Sequence, residues 1–248
     1  MATIVAYPNT TTPTRSLPDR RFDHLFFPAV AWLMLVTVFV GFGPSYYLAG
    51  AFRTPLPMAV HVYAVVFSCW VLLLITQTSL TASGRINVHR RLGIAGFVLA
   101  CSMLIVGLWV ATELLASGYP RHDPTGFYII PITNIVAFAV LIVFAYRARF
   151  DCAAHKRLII VASTALMTAP IARWHFEMVH FRPSVAECFS YIFLLLLAAY
   201  DLWATRRLHR ATMWAGAFLI AVQQFALHFG RTSAWHAFAA WVQSMAQR

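Results

Sequence analysis

The sequence predicts an all-α integral membrane bundle of seven transmembrane helices, one leading helix followed by three antiparallel hairpins, with the N-terminus inside. Three observations predict it. Hydrophobic residues make up 60% of the 248 residues and charged residues only 11%. The apolar residues fall into long runs, and the basic residues collect in alternate loops. A soluble domain carries roughly a quarter charged residues, so this apolar excess requires an apolar solvent.

Each element follows from the length of chain needed to cross a bilayer, about 20 apolar residues for a hydrocarbon core of about 30 Å. Residues 1–25 are polar, with Pro8, Pro13 and Pro18 and an Arg20-Arg21 pair. They lack the apolar start of a signal peptide and read as a disordered cytoplasmic tail. The transmembrane domain, 26–231, contains spans at 26–48, 57–80, 92–116, 126–147, 157–178, 185–204 and 212–231. Gln223, Gln224 and His228 interrupt the seventh span. Residues 232–248 are Trp-rich and mildly amphipathic, and read as a short C-terminal interfacial segment or an extension of helix seven.

Orientation comes from the basic residues, which favour the cytoplasmic loops. Arg15, Arg20 and Arg21, then Arg85, Arg90 and Arg91, then Arg147, Arg149, Lys156 and Arg157, then Arg206, Arg207 and Arg210 fall on one side. Arg53, Arg121, Arg173, Arg182, Arg231 and Arg248 fall on the other. The larger set puts the N-terminus in the cytoplasm and the C-terminus in the periplasm, and it suits anionic lipids at the cytoplasmic face. Nucleic acid is excluded as a partner, because its binders concentrate basic residues on a folded face whereas these are divided among short loops. The cysteines, Cys69, Cys101, Cys152 and Cys188, form no CxxC pair, which argues against a disulfide framework or a zinc knuckle.

Polar residues inside the spans are the informative ones, because ionisable groups in a bilayer are costly and usually face the bundle interior. His61 on helix two, Glu113 on helix three, Arg173, His175 and Glu177 at the end of helix five, Glu187 on helix six, and Gln224 and His228 on helix seven share one depth. At about 1.5 Å rise per residue, most of them, with His180 just beyond, fall within roughly 10 Å of the outer boundary. Asn134 lies about two turns into helix four. Arg173, Glu177 and His180 share one helical face at spacings of four and three residues.

Three chemistries compete for this layer. The first is structural, an Arg173–Glu177 ion pair with histidines bonding neighbouring helices. The second is a haem b or transition-metal site, for which imidazole and carboxylate are suitable ligands, built from His61, Glu113, His175, Glu177 and His228. The third is proton or solute passage. On the inner side, His89, His155 and His209 each precede an odd-numbered helix at matching loop positions and form a second candidate cluster. No lysine lies within a span except Lys156 at an entrance, so a retinal Schiff base on helix seven is excluded. There is no P-loop, GxSxG or HExxH motif. Trp70, deep in helix two, reads as a packing residue whose N–H bonds a neighbour.

The ordered set His61-x8-Trp70-x6-Gln77, Gly84-Arg85-x3-His89-Arg90-Arg91-Leu92-Gly93 and His155-Lys156-Arg157-Leu158, with Gly41-Phe42-Gly43-Pro44-Ser45-Tyr46-Tyr47, resembles a family of uncharacterised bacterial polytopic membrane proteins over residues 26–230. The resemblance implies a bacterial cytoplasmic (inner) membrane and no particular activity. The His-bearing hairpins also loosely resemble transmembrane b-type cytochromes, but the regular inner and outer His pairing on the same helices is missing. The sequence therefore leaves two functions open. One is a redox or metal- or haem-binding protein with an outward-facing polar site. The other is a non-catalytic accessory subunit of a membrane complex or a transporter-like protein whose buried ions are structural; the partners expected are membrane-complex subunits or further copies of the chain in a homo-oligomer.

Overall fold

A computed structural model describes residues 22–48, 57–120, 122–176 and 182–247, and among these every regular element is helical. The first helix, α1 (Asp23–Phe42), runs into a π-helical turn at Gly43–Tyr47. Then follow α2 (Met58–Ala82), α3 (Ile86–Ala116), α4 (Pro124–Arg147) and α5 (Cys152–Ile171). The chain continues with α6 (Pro183–Ser190), α7 (Ile192–Thr205), α8 (Arg210–Phe229) and α9 (Ser233–Ala246).

Local chemistry sets several of the boundaries. Asp123 caps α4 by accepting from the Gly126 N–H, and Asp151 caps α5 by accepting from the Ala153 and Ala154 N–H groups. These acceptors satisfy amide donors that a helix start leaves free. Thr232 does the same for α9 through the Trp235 N–H, so the seventh apolar segment ends at Phe229 and a separate helix begins. Gly84 and Gly118 take positive φ where α2 and α3 end, a conformation glycine adopts without Cβ strain. The sixth apolar segment is one span, Pro183–Thr205, broken only by a turn at Tyr191 between α6 and α7.

Among the described residues, six helices are long and apolar enough to cross a membrane: α1, α2, α3, α4, the combined α6 and α7, and α8. Their outward faces carry large apolar side chains, including Trp32, Ile94, Ile105, Leu195 and Trp214. An apolar exterior of that kind requires lipid. The remaining long helix, α5, is different. Ile160 to Thr168 are buried at every position, and α1, α4, α6, α7 and α8 all pack on it. Because protein encloses it, α5 tolerates Lys156, Arg157, Ser163, Thr164 and Thr168, which lower its apolarity below that of its neighbours.

Five helices, α1 to α5, close into a ring in which each packs on the next and α5 returns to α1. Trp70 points into the core, where its Nε1 donates to Ser163 Oγ at 3.2 Å and its ring meets Phe138 edge-on, as the sequence leads one to expect. Where α1 crosses α5 the backbones almost touch. A Cβ placed on Gly41 would lie 2.1 Å from the Pro170 carbonyl oxygen. Three elements depart from the expected boundaries: α3 begins at Ile86 rather than 92 and α5 at Cys152 rather than 157, so His89 and His155 lie in the first turns of their helices and not in the loops before them. The first helix starts at Asp23, ahead of residue 26, because Asp23 has partners on α5 and α7. Helix five stops at Ile171 rather than 178, just after Pro170, and the chain turns through Ala172 and Arg173.

The crossing yields a prediction. Gly41→Ala should lower stability by about 2 kcal/mol or more, since an overpacked contact against backbone cannot relax by a rotamer change. Gly93→Ala, whose Cβ would meet only the Gln77 Nε2 at 3.7 Å, should be tolerated. Thermal unfolding of both variants in one detergent checks this, and equal losses would show that the crossing is looser than described.

Candidate functional site

Inside the five-helix ring, towards the ends of α1 and α5 that meet at Gly41 and Pro170, lies a cavity of about 320 Å³. Its lining is predominantly apolar and aromatic, with Phe42, Tyr63 and Phe67 among its walls and Tyr46, Asn134 and Arg173 supplying polar groups. The π-helical turn matters here because it carries two tyrosines to the cavity. Tyr46 OH pairs with His61 Nδ1 at 3.0 Å, and Tyr47 OH pairs with Ser68 Oγ at 2.6 Å.

Arg173 is the charged residue of this lining. Its Nη1 donates to the Ala169 carbonyl at 2.8 Å, and its guanidinium stands 4.7 Å from the centroid of the Phe42 ring. The ion pairs among the described residues are Lys156–Asp23 and Arg157–Asp201, so Arg173 has no carboxylate partner there. Behind the cavity, Gln223 Nε2 donates to Asn134 Oδ1 at 2.7 Å and to Thr168 Oγ1 at 3.4 Å, joining α8, α4 and α5. Polar links of this type hold helices together where lipid supplies no hydrophobic drive between them.

The residues anticipated for the outer layer occupy different surroundings. His61 is half-buried beside Tyr46. Glu113 is exposed and accepts from Trp109 Nε1 at 3.2 Å. His228 is exposed, with its Nδ1 bonded to the Gln224 carbonyl of its own helix at 2.8 Å. Gln224 itself donates to Tyr191 OH at 3.2 Å. Glu187 is fully buried, and neither carboxyl oxygen has a hydrogen-bond partner among the described residues. Because α5 ends at Ile171, Arg173 and the exposed His175 lie in the following turn. Residues Ala172 to Phe176 are not helical, and Glu177 and His180, expected to share a helical face with Arg173, lie outside the described residues. The helices bearing His61 and His228, α2 and α8, are not packed as neighbours. Among the described residues no three His, Cys, Asp or Glu side chains gather as a metal-ligand set.

At the opposite, basic end the structure brings together a denser network. Asp201 on α7 is fully buried and accepts from Arg157 Nε at 2.8 Å and from its Nη2, from Thr212 Oγ1 at 2.6 Å and from the His209 N–H at 3.1 Å. One carboxylate thus ties the start of α5, the end of α7 and the start of α8. Beside it, Asp23 pairs with Lys156 and accepts from Tyr200 OH at 2.8 Å. Of the three inner histidines, His89 and His155 come together, with ring centroids 6.3 Å apart. His209 instead caps α8, its Nδ1 accepting from the Ala211 N–H at 3.1 Å. Sequence reasoning assigned Lys156 and Arg157 to loop charge and did not single out Asp23 or Asp201. The available signal was an aspartate inside the span 185–204, a position where an acid requires a partner.

Comparison with protein-family models, curated proteins and solved structures gives no match.

The His209 cap carries a pH dependence. Burial, reinforced by the nearby Arg157 guanidinium, holds the imidazole below its ordinary range. The folded state therefore binds a proton less readily than the unfolded chain. The stability this contributes is present above the unfolded value of about 6.5 and is lost as pH falls through the lower folded value. Thermal stability should accordingly drop on acidification below about pH 6.5, and His209→Asn, which keeps a capping acceptor without a titrating ring, should remove part of that slope. An unchanged slope in the variant would assign it to other groups.

Proposed function

We propose that this chain is a seven-span protein of a bacterial inner membrane, N-terminus cytoplasmic and C-terminus periplasmic, that binds a lipid-soluble amphipathic molecule with an anionic head in the cavity facing the outer side. The seventh crossing is α5, whose 20 residues extend about 30 Å at 1.5 Å each. The orientation rests on the basic residues of alternate loops, which would also hold anionic lipid headgroups at the cytoplasmic face. The family resemblance carried by His61, Trp70, Gln77 and the two His-bearing loops agrees with this location.

The observation that carries the reading is Arg173 standing unpaired among the described residues on the wall of an otherwise apolar, aromatic cavity. Ligand sites are concave, mostly apolar, and carry a few polar groups that fix orientation. A guanidinium presents donors in a planar fork suited to a carboxylate or phosphate. The Tyr46–His61 and Tyr47–Ser68 pairs add hydroxyls around the mouth, and the Phe42, Tyr63 and Phe67 rings would accept an acyl or polycyclic body. A metal- or haem-holding role for His61, Glu113, His175, Glu177 and His228 has less support, since Glu113, His175 and His228 are exposed on separate helices or turns.

The test is equilibrium binding of a fluorescent fatty acid to the purified protein. Ala64→Phe, which fills the cavity, should abolish saturable binding. Arg173→Gln should weaken it about tenfold or more, the equivalent of one charge-assisted hydrogen bond of roughly 1.5–3 kcal/mol. Binding that is equal in all three proteins would contradict the proposal.

A further inference from the structure

We infer that His89 and His155 form a transition-metal site at the basic end of the bundle, the two imidazoles approaching one metal from nearly opposite sides. The inference is independent of the cavity, which lies at the other end and shares none of these residues.

The protonation of His155 is fixed by its surroundings. Its Nδ1 lies 2.8 Å from the Ala145 carbonyl oxygen, and a carbonyl only accepts, so Nδ1 bears the hydrogen. In a neutral imidazole the other nitrogen, Nε2, then carries the free lone pair. Orientation of a ring by a backbone carbonyl is the second-shell arrangement common to metal-bound histidines. On His89, Nδ1 is buried and has no hydrogen-bond partner. The Gln77 backbone is hydrogen-bonded to this ring, which leaves Nδ1 as the nitrogen without a partner, and the Gln77 Oε1 is also buried without one. Buried polar atoms are nearly always satisfied. The unpartnered His89 Nδ1, on a ring 6.3 Å from that of His155 with its directed lone pair, marks a place that a bound group would complete.

Distance narrows what that is. A metal about 2.0–2.1 Å from each imidazole nitrogen puts ring centroids at most about 6.5 Å apart when the two nitrogens are collinear with it, and near 5 Å in a tetrahedral arrangement. The observed 6.3 Å, with rings 80° apart, is close to the collinear limit. Imidazole suits copper, iron, zinc and nickel. Arg90 adds positive charge next to His89, while Lys156 and Arg157 are neutralised by Asp23 and Asp201. A centre of low charge fits best. Monovalent copper held in line by two imidazoles meets that condition.

The experiment uses the full-length protein purified in detergent. The protein is stripped with chelator and titrated with copper(I) against a colorimetric competitor. Expected is one equivalent of copper bound by the wild type, lost in His89→Ala and in His155→Ala but kept in His236→Ala, whose ring pairs with Thr125 on α4. X-ray absorption of the copper-loaded wild type should show two nitrogen ligands at the imidazole distance, which tests the site even if a variant fails to fold. No copper bound, or copper bound equally in the His89 and His155 variants, or a copper environment without two nitrogens, would overturn the assignment.

Discussion

The bundle depends on a buried ion pair. Arg157 enters at the start of α5, the helix that five others enclose, and Asp201 meets it from α7 with no exposure to solvent. Removing two charges from water costs several kcal/mol each unless their remaining hydrogen-bonding capacity is filled. Here it is filled: Thr212 and the His209 amide complete the carboxylate, and the Ala153 carbonyl accepts from Arg157 Nη1 at 2.8 Å. The network fixes the rotation and depth of α5 relative to α7 and α8. The Gly41–Pro170 crossing then fixes its other end against α1.

With α5 held at both ends, the rest of the architecture follows. A central helix shielded from lipid presents Ser163, Thr164 and Thr168 inward, where Trp70 and Gln223 use two of them. The same shielding leaves room, between α5 and the arc of α1 to α4, for a cavity that the π-helical turn rims with tyrosines. At the far side α9 folds back along α3 and α4. Gln243 Nε2 and Gln247 Nε2 donate to the Leu115 and Ala116 carbonyls, each at 2.8 Å, and Trp235 Nε1 donates to the Thr125 carbonyl at 2.8 Å. The Ala116 carbonyl is one that the end of α3 leaves without a backbone donor, and the three bonds together tie α9 to α3 and α4.

Much of this was readable from residue order, and what was not has identifiable physical causes. The six lipid-facing spans were legible because lipid selects for apolar side chains all round a helix. The depth of Trp70 and its bonded N–H were legible from the same count. The extent of α5 was overestimated, since the aromatic run Trp174 and Phe176 keeps the apolar pattern going past Pro170 while the backbone turns. Asp201 escaped notice because a single acid within a span does not reveal which helix brings its partner. The cavity was invisible because it arises from how five helices close, and no single segment encodes it. Matching positions near helix starts single out His89, His155 and His209, of which only the first two meet. Yet only the closing of the helix ring, which brings the His89 and His155 rings together, separates the two that meet from the one that caps α8.

The central claim is that Arg157 and Asp201 act as one unit to seat α5. A double-mutant cycle on thermal or denaturant unfolding tests it directly, using Arg157→Met, Asp201→Ala and the combination. Loss of the aspartate alone strands a buried guanidinium and should cost about 3–5 kcal/mol, whereas the double variant should recover a large part of that loss. Single effects that simply add in the double variant would contradict the account.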